Sequence, residues 1–280
     1  MLKVLCALMI ALSLLHDGEM TAREGTLVIV GATADTIVIA ADSATSANGK
    51  LLGTSAKKIF KVGKYGACFL EGTVTLTSIR DGKIAIDADF PGVISHSLAT
   101  HPLASIVSSY QLTLSALLEA IHLLQVKHPD MHGDPNHSFL SFGCVGYQES
   151  QAKILTTDFY SPLAAGQQTV TKATEHELRP GLFAPLGASA TSNEIIRGAG
   201  GKPFVSAKEQ PVVMKYKSAL RAAGLLESIT TEDLIDLAKI CLEATETQEG
   251  RDFDTKAYTV GGPNHFAVID RHQGFRWTQK

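Results

Sequence analysis

Residues 26–42 read TLVIVGATADTIVIAAD, and this stretch decides the fold. Two β-branched runs, at 26–30 and 36–41, lie on either side of a short segment that contains Gly31 and Asp35. β-Branched residues favour strands, and a segment of this kind between two runs is typical of a hairpin turn. Both runs are apolar at nearly every position, which is typical of strands covered on both faces. We therefore predict a hairpin inside a layered structure.

The rest of the chain alternates between strand-like and helix-like patterns. Further strands are predicted at 58–62, 66–70, 138–146, 152–157, 257–260 and 265–269. Helices are predicted around residues 92–98, along the stripe Leu114, Leu117, Leu118 and Ile121, and after the capping pair Thr230 and Asp233. Arg80 to Lys83 looks like a further hairpin turn. This order predicts one α+β domain with helices packed outside its sheets.

The amino-acid composition is typical of a folded protein and gives no sign of nucleic-acid binding. The 280 residues are 45% hydrophobic and 19% charged, with a net charge of −3, which excludes a disordered, highly charged polymer. Phosphate binding relies on clustered basic residues, so this balance gives no support to nucleic-acid binding. Cys68, Cys144 and Cys241 are far apart and form no CxxC pair. They are predicted to be buried thiols rather than disulfide partners or zinc ligands, and no metal or cofactor is expected.

The first 25 residues differ from the rest. Lys3 precedes an apolar run at 4–15, which polar residues 16–19 follow. This order is typical of a secretory signal peptide, and the run is shorter than the about 20 residues of a stable membrane span. We predict that residues 1–25 are a signal peptide or pro-segment, so that the protein is secreted or periplasmic. A leader that is only a pro-segment would leave it cytoplasmic.

Four residues at the ends of predicted strands are candidates for a catalytic site. Thr26 opens the first run after Gly25, Asp42 ends the second, Lys58 opens the third and Gly72 follows the fourth. Adjacent antiparallel strands bring such ends side by side. Taken singly, Thr26 could be an ordinary strand residue, Asp42 a turn former and Lys58 a solvated charge.

Taken together at this spacing, the four residues resemble the catalytic Thr, Asp, Lys and Gly of the proteasome β-subunit family of N-terminal nucleophile hydrolases. The resemblance implies a four-layer αββα sandwich over residues 26–280 and self-cleavage between Gly25 and Thr26. A family serine in a later loop falls on Ala188, and the neighbouring Ser189 is expected to replace it. The resemblance also implies an uncharged substrate pocket, lined by Thr45, Ala56, Phe60, Leu70 and Val74.

The implied chemistry needs these residue types. A threonine hydroxyl is a weak nucleophile until a base takes its proton, and a free α-amine on the same residue can serve because it is partly neutral near pH 7. Lys58 would place a positive charge beside Thr26, and Asp42 would hold and neutralise Lys58. The backbone N–H of Gly72 would stabilise the oxyanion.

Three functions stay open at this point. The first is a self-processing threonine hydrolase that cleaves peptide bonds. The second is a catalytically silent structural subunit of a proteasome-like assembly, which the substitution at Ala188 suggests. The third is an amidase of the same superfamily that acts on small acylated metabolites. The expected partners are a peptide or acyl-amide substrate and, in an assembly, further copies of the chain as a homo-oligomer.

Overall fold

A computed structural model describes residues 26–47, 50–80, 83–102, 105–129, 138–160, 169–198, 204–222, 225–254, 257 and 260–278. The predicted leader and its cleavage residue Gly25 lie outside these ranges. The described part is a mixed α+β structure with several antiparallel sheets. None of its helices is long and apolar enough to cross a membrane.

The strands are β1 Leu27–Ala32, β2 Thr36–Ala41, β3 Thr45–Ala47, β4 Lys50–Gly53, β5 Ile59–Val62, β6 Gly66–Gly72, β7 Thr75–Arg80, β8 Lys83–Asp89, β9 Ser138–Gln148, β10 Gln151–Tyr160, β11 Val170–Glu177, β12 Phe183–Gly187, β13 His265–Asp270 and β14 Gly274–Trp277. The helices are α1 Phe90–Thr100, α2 Ile106–Lys127, α3 Ala190–Arg197, α4 Gln210–Arg221, α5 Thr231–Glu246 and α6 Gln248–Phe253, with a 3₁₀ turn at Leu225–Ser228.

Two five-stranded sheets carry the structure. The first sheet has the order β12-β1-β2-β13-β14, and the second has the order β11-β10-β9-β6-β5. All neighbours in both sheets are antiparallel. Two small hairpins, β3-β4 and β7-β8, stand apart from them. The sheets thus gather strands from both ends of the chain, so that segments distant in sequence become neighbours.

Three apolar clusters follow from the alternation of side chains along the strands. In β1, Leu27 and Ile29 pack with helices α3, α4 and α5, whereas Val28 and Val30 pack with residues of the second sheet. The opposite face of the second sheet packs with α1 and α2 through residues such as Phe142. Strands β1 and β2 are therefore buried at every position, as predicted from their unbroken apolar runs.

Most of the predicted elements are confirmed, including the capping box of Thr230 and Asp233 at the start of α5. The hairpin predicted around residues 80–83 is confirmed by β7 and β8. Leu118, placed in the core by its spacing, is 36% exposed, because the buried face of α2 runs through Leu117 and Ile121.

The strand predicted at 257–260 is wrong. Residues 258–259 lie outside the described part, and Val260 donates its N–H to the carbonyl of Ala257 in a turn. Both residues are buried in the cluster that contains α5. Their apolar character therefore reflects packing of an irregular segment, which a short run cannot distinguish from a strand.

The prediction that Cys68 and Cys144 are unpaired thiols is also wrong. They lie directly opposite each other on β6 and β9 and form a disulfide, which is fully buried. Sequence separation concealed the pair, because strand pairing makes neighbours of two positions that are 76 apart in the sequence. Cys241 is a free, buried cysteine as predicted, and burial raises the pKa of its thiol to about 12.

Candidate active site

Thr26 lies immediately before β1 and is 2% exposed. Its carbonyl oxygen accepts a hydrogen bond from the N–H of Ala188 at 2.9 Å, which ties it to the end of β12. Its hydroxyl donates to the carbonyl oxygen of Gly72 at 3.3 Å and accepts from Lys58 Nζ at 3.1 Å. The hydroxyl oxygen is therefore held between the start of β5 and the end of β6.

Lys58 and Asp42 form a salt bridge of 2.9 Å between Nζ and Oδ2. Both side chains are 0% exposed. Burial of two charges is favourable only where close approach and further hydrogen bonds offset the loss of hydration. Apolar side chains would stabilise a sheet core equally well. A buried charge pair in contact with a threonine hydroxyl is therefore an unusual feature there.

The Asp42 carboxylate is also held by the backbone. Leu27 N–H donates to Oδ1 at 3.0 Å, and Ala44 N–H and Gly261 N–H donate to Oδ2 at 3.2 and 3.3 Å. Buried carboxylate oxygens require such donors. Because Leu27 directly follows Thr26, the same carboxylate positions both the ammonium and the start of the strand that carries the hydroxyl.

Gly72 has a backbone conformation that excludes other residues. Its φ is +85°, and a Cβ there would lie 2.7 Å from the carbonyl oxygen of Phe139. A left-handed φ is costly for residues that carry a Cβ. The strand can therefore bring its carbonyl to the Thr26 hydroxyl only because this position is glycine.

The loop after β12 closes the other side of Thr26. Ser189 caps α3 without a side-chain hydrogen bond to the helix backbone, and its Oγ accepts from Asn193 Nδ2 at 3.3 Å. Among the described residues, the structure thus pairs the Ser189 hydroxyl with its own helix rather than with Thr26. Ala188, the position of the family serine, is buried and contributes only its backbone N–H.

Two features of this region have no clear signal in the sequence. Asp254 directly follows α6, and its Oδ2 accepts the Ala190 N–H at 2.7 Å. Gly261 accepts hydrogen bonds from Ser43 N–H and Ala44 N–H in addition to donating to Asp42. The paired glycines at 261–262 were the one hint in the sequence, since Gly262 has a φ of +82°.

Glu246 adds a further carboxyl group near the charge pair, at the end of α5. Burial raises the pKa of Glu246, a hydrogen bond with Asn264 lowers it, and the nearby Asp42 carboxylate raises it again, with a net increase. Glu246 is thus a second carboxyl group that interacts electrostatically with Asp42.

The residues predicted to line a substrate pocket differ in how far they are buried. Phe60, Leu70 and Val74 are 1%, 0% and 2% exposed and belong to the cluster that packs with α1 and α2, whereas Ala56 is half-buried at its edge. Thr45 begins β3, and its side chain lies outside the described atoms. Their role in a substrate pocket stays a prediction.

The arrangement suits nucleophilic catalysis by a hydroxyl group. An ammonium that donates to Thr26 Oγ1 stabilises negative charge on that oxygen. Within the described residues, no group of three or more His, Cys, Asp or Glu could hold a metal ion. Comparison with protein-family models found no match, and comparison with curated proteins found no significant similarity.

Proposed function

We propose that the chain is a self-processing N-terminal threonine hydrolase of the proteasome-subunit type, which cleaves peptide or other amide bonds. One observation carries this proposal. The buried Lys58 ammonium lies 3.1 Å from the Thr26 hydroxyl oxygen and 2.9 Å from the Asp42 carboxylate. Three of the residues that the sequence pattern singled out thus form one hydrogen-bonded unit, and the hydroxyl also reaches the fourth, Gly72.

Self-cleavage would use the hydroxyl first. Thr26 Oγ1 attacks the carbonyl carbon of Gly25 and forms the new C–O bond. The C–N bond to Thr26 then breaks as its nitrogen takes up the proton that the hydroxyl loses. The leader is then attached as an ester, which water hydrolyses to release the leader carboxylate and the free hydroxyl. Gly25 carries no side chain to obstruct this attack.

Turnover would use the amine that self-cleavage releases. The α-amine of Thr26 takes the hydroxyl proton while Oγ1 attacks the substrate carbonyl, and the departing amine takes a proton as the C–N bond breaks. Water then hydrolyses the acyl ester. Lys58 stabilises negative charge on Oγ1, and Asp42 keeps Lys58 in place. The Gly72 N–H serves the oxyanion, an interaction worth about 2.7–4 kcal/mol in other hydrolases.

The same proposal extends to the fold and the compartment. Three apolar clusters, one between the sheets and one on each outer face, support a four-layer αββα sandwich for residues 26–280. A buried disulfide between Cys68 and Cys144 supports export to an oxidising compartment, because structural disulfides are rare in reducing cytosol.

A second candidate is the silent structural subunit. Ala188 provides no hydroxyl beside Thr26, and the hydroxyl of Ser189 is paired with Asn193. Thr26 is also only 2% exposed. This candidate predicts the same fold with no turnover.

A panel of fluorogenic reagents tests the proposal. Peptide amides and simple acyl amides, with basic, acidic and uncharged side chains before the scissile bond, are assayed with the wild-type chain and Thr26→Ala. We expect turnover of an uncharged, moderately large side chain, abolished by Thr26→Ala. Faster hydrolysis of acyl amides than of peptides identifies the amidase. Turnover that persists in Thr26→Ala contradicts the proposal, as does inactivity of the self-cleaved wild-type chain on every reagent.

A further inference from the structure

Glu71 is a carboxylate at the candidate site that the mechanism above does not use. It directly precedes Gly72 at the end of β6 and is half-buried. Phe69, two residues earlier, packs in the cluster between the sheets. Side chains two apart on a strand project to the same face, so Glu71 projects toward the first sheet, where Thr26 lies.

Gly187 shows how close Glu71 comes to Thr26. A Cβ built at Gly187 would lie 2.8 Å from Glu71 Cγ and 2.9 Å from Cδ, and it would also collide with the Thr26 carbonyl oxygen. Gly187 has a φ of +77°, which suits glycine alone. The carboxyl end of Glu71 and the backbone of Thr26 therefore border the same methyl-sized space.

The nitrogen of Thr26 points toward the same strand end as its carbonyl. In antiparallel pairing, the N–H and C=O of one residue point toward the same neighbouring strand. The Thr26 carbonyl points to the end of β12, where it accepts the Ala188 N–H at 2.9 Å. The nitrogen that self-cleavage would release therefore faces the end of β12, which Glu71 borders at Gly187, whereas Lys58 approaches the hydroxyl.

The side chains of the 187–189 loop offer no carboxylate to the α-amine of Thr26. Ala188 has no hydroxyl, and Ser189 is paired with Asn193. We propose that Glu71 is a positioning residue that binds the α-amine of Thr26 after self-cleavage, an inference that rests on the proposed function.

The role has a simple electrostatic reason. Lys58 lies close to Thr26 and disfavours a second positive charge there, which would weaken the amine as a base. Glu71 opposes this effect and accepts an amine N–H, so that the nitrogen lone pair is directed at the hydroxyl. The other charged groups near the site in the described part include Asp42, which is paired with Lys58, and Asp254, which accepts the Ala190 N–H. They also include Glu246, which interacts electrostatically with Asp42.

The test uses the full chain with Glu71→Gln and Glu71→Asp, and with Glu177→Gln as the control for loss of an exposed strand glutamate. Intact mass first establishes that the wild-type chain is cleaved at Gly25–Thr26. A leader that stays attached in the wild type defeats the proposed function whatever Glu71 does. Melting temperatures establish that each variant is folded, and kcat and KM are then measured between pH 5 and 9.

We expect Glu71→Gln to be cleaved, with kcat at least about tenfold lower, KM unchanged and the acid limb of the kcat profile moved down by about one pH unit. Glu71→Asp should recover part of kcat, and Glu177→Gln should match the wild type. A self-cleaved Glu71→Gln protein with the wild-type kcat and pH profile overturns the proposal while leaving the proposed function intact. An uncleaved, folded Glu71→Gln protein also overturns it, because Glu71 would then act before the amine exists.

Discussion

Lys58 Nζ lies 3.1 Å from Thr26 Oγ1, and neither side chain has appreciable contact with solvent. This contact places a positive charge against a hydroxyl that would otherwise be a poor nucleophile. Asp42 offsets the cost of burying the Lys58 charge, because it pairs with Lys58 and itself accepts hydrogen bonds from three backbone N–H groups. Stability and chemistry therefore depend on the same three side chains.

The buried charge pair predicts how its variants behave. Lys58→Met should abolish turnover and lower the free energy of unfolding by about 3–5 kcal/mol, because Asp42 is then left buried without its counter-charge. The double variant Lys58→Met/Asp42→Asn should regain much of that stability and remain inactive. Urea unfolding and reagent hydrolysis measure the two effects. Wild-type stability and turnover in Lys58→Met would show that the pair is incidental.

Gly187→Ala tests the space beside Thr26. Its left-handed φ of +77° costs a residue with a Cβ about 1–2 kcal/mol, and the added methyl group would displace Glu71 or Thr26. We expect loss of stability together with at least a tenfold loss of turnover. Gly63→Ala is the matched control, because φ is +52° there in a turn away from the site. Gly63→Ala should lose stability and keep its activity. Equal turnover in the two variants would show that a methyl group at position 187 does not disturb Thr26 or Glu71.

Features that depend on residues close in sequence could be predicted from the sequence alone, whereas contacts between residues far apart in sequence could not. Leu27 to Val30 could be predicted as a buried strand, because strand preference depends on residues that are close in sequence. Thr230 could be predicted as a helix start, because a helix cap also involves only neighbouring residues. The Cys68–Cys144 bond and the contact of Asp254 with Ala190 depend on strand and loop pairing across long intervals. No local pattern encodes either contact. Thr26, Asp42, Lys58 and Gly72 could be selected because their joint spacing resembles that of the proteasome β-subunit family. Glu71 could be identified only from the contacts at Gly187 in the structure.

The disulfide predicts a redox-dependent stability. Cys68→Ala/Cys144→Ala should lower the free energy of unfolding by about 2–4 kcal/mol, because the bond restricts a long loop in the unfolded chain. Reduction of the wild type should have a similar effect once the buried bond becomes accessible. Cys241→Ala retains the disulfide and serves as the control. A chain whose unfolding is indifferent to reductant would contradict the cross-link.

Asp233 predicts a loss of stability in acid. Burial alone would raise the pKa of this carboxyl, but hydrogen bonds from Lys215 and Thr230 outweigh burial and lower it. A lowered folded-state pKa gives stability that is present above the unfolded pKa of about 4 and is lost as pH falls through the folded value. Asp233→Asn should therefore cost roughly 0.5–1 kcal/mol at pH 7, as for other helix caps, and much less at pH 3. A difference in urea unfolding that is equal at both pH values would refute this role.

The N-terminus of the purified protein tests the central claim most directly. The full chain is produced by cell-free synthesis without membranes, so that signal peptidase does not process it. Its intact mass is measured beside that of Thr26→Ala. The wild-type chain is predicted to begin at Thr26, and Thr26→Ala is predicted to retain Gly25 and the leader. A wild-type chain that keeps its leader and still hydrolyses amide reagents would contradict an N-terminal threonine mechanism.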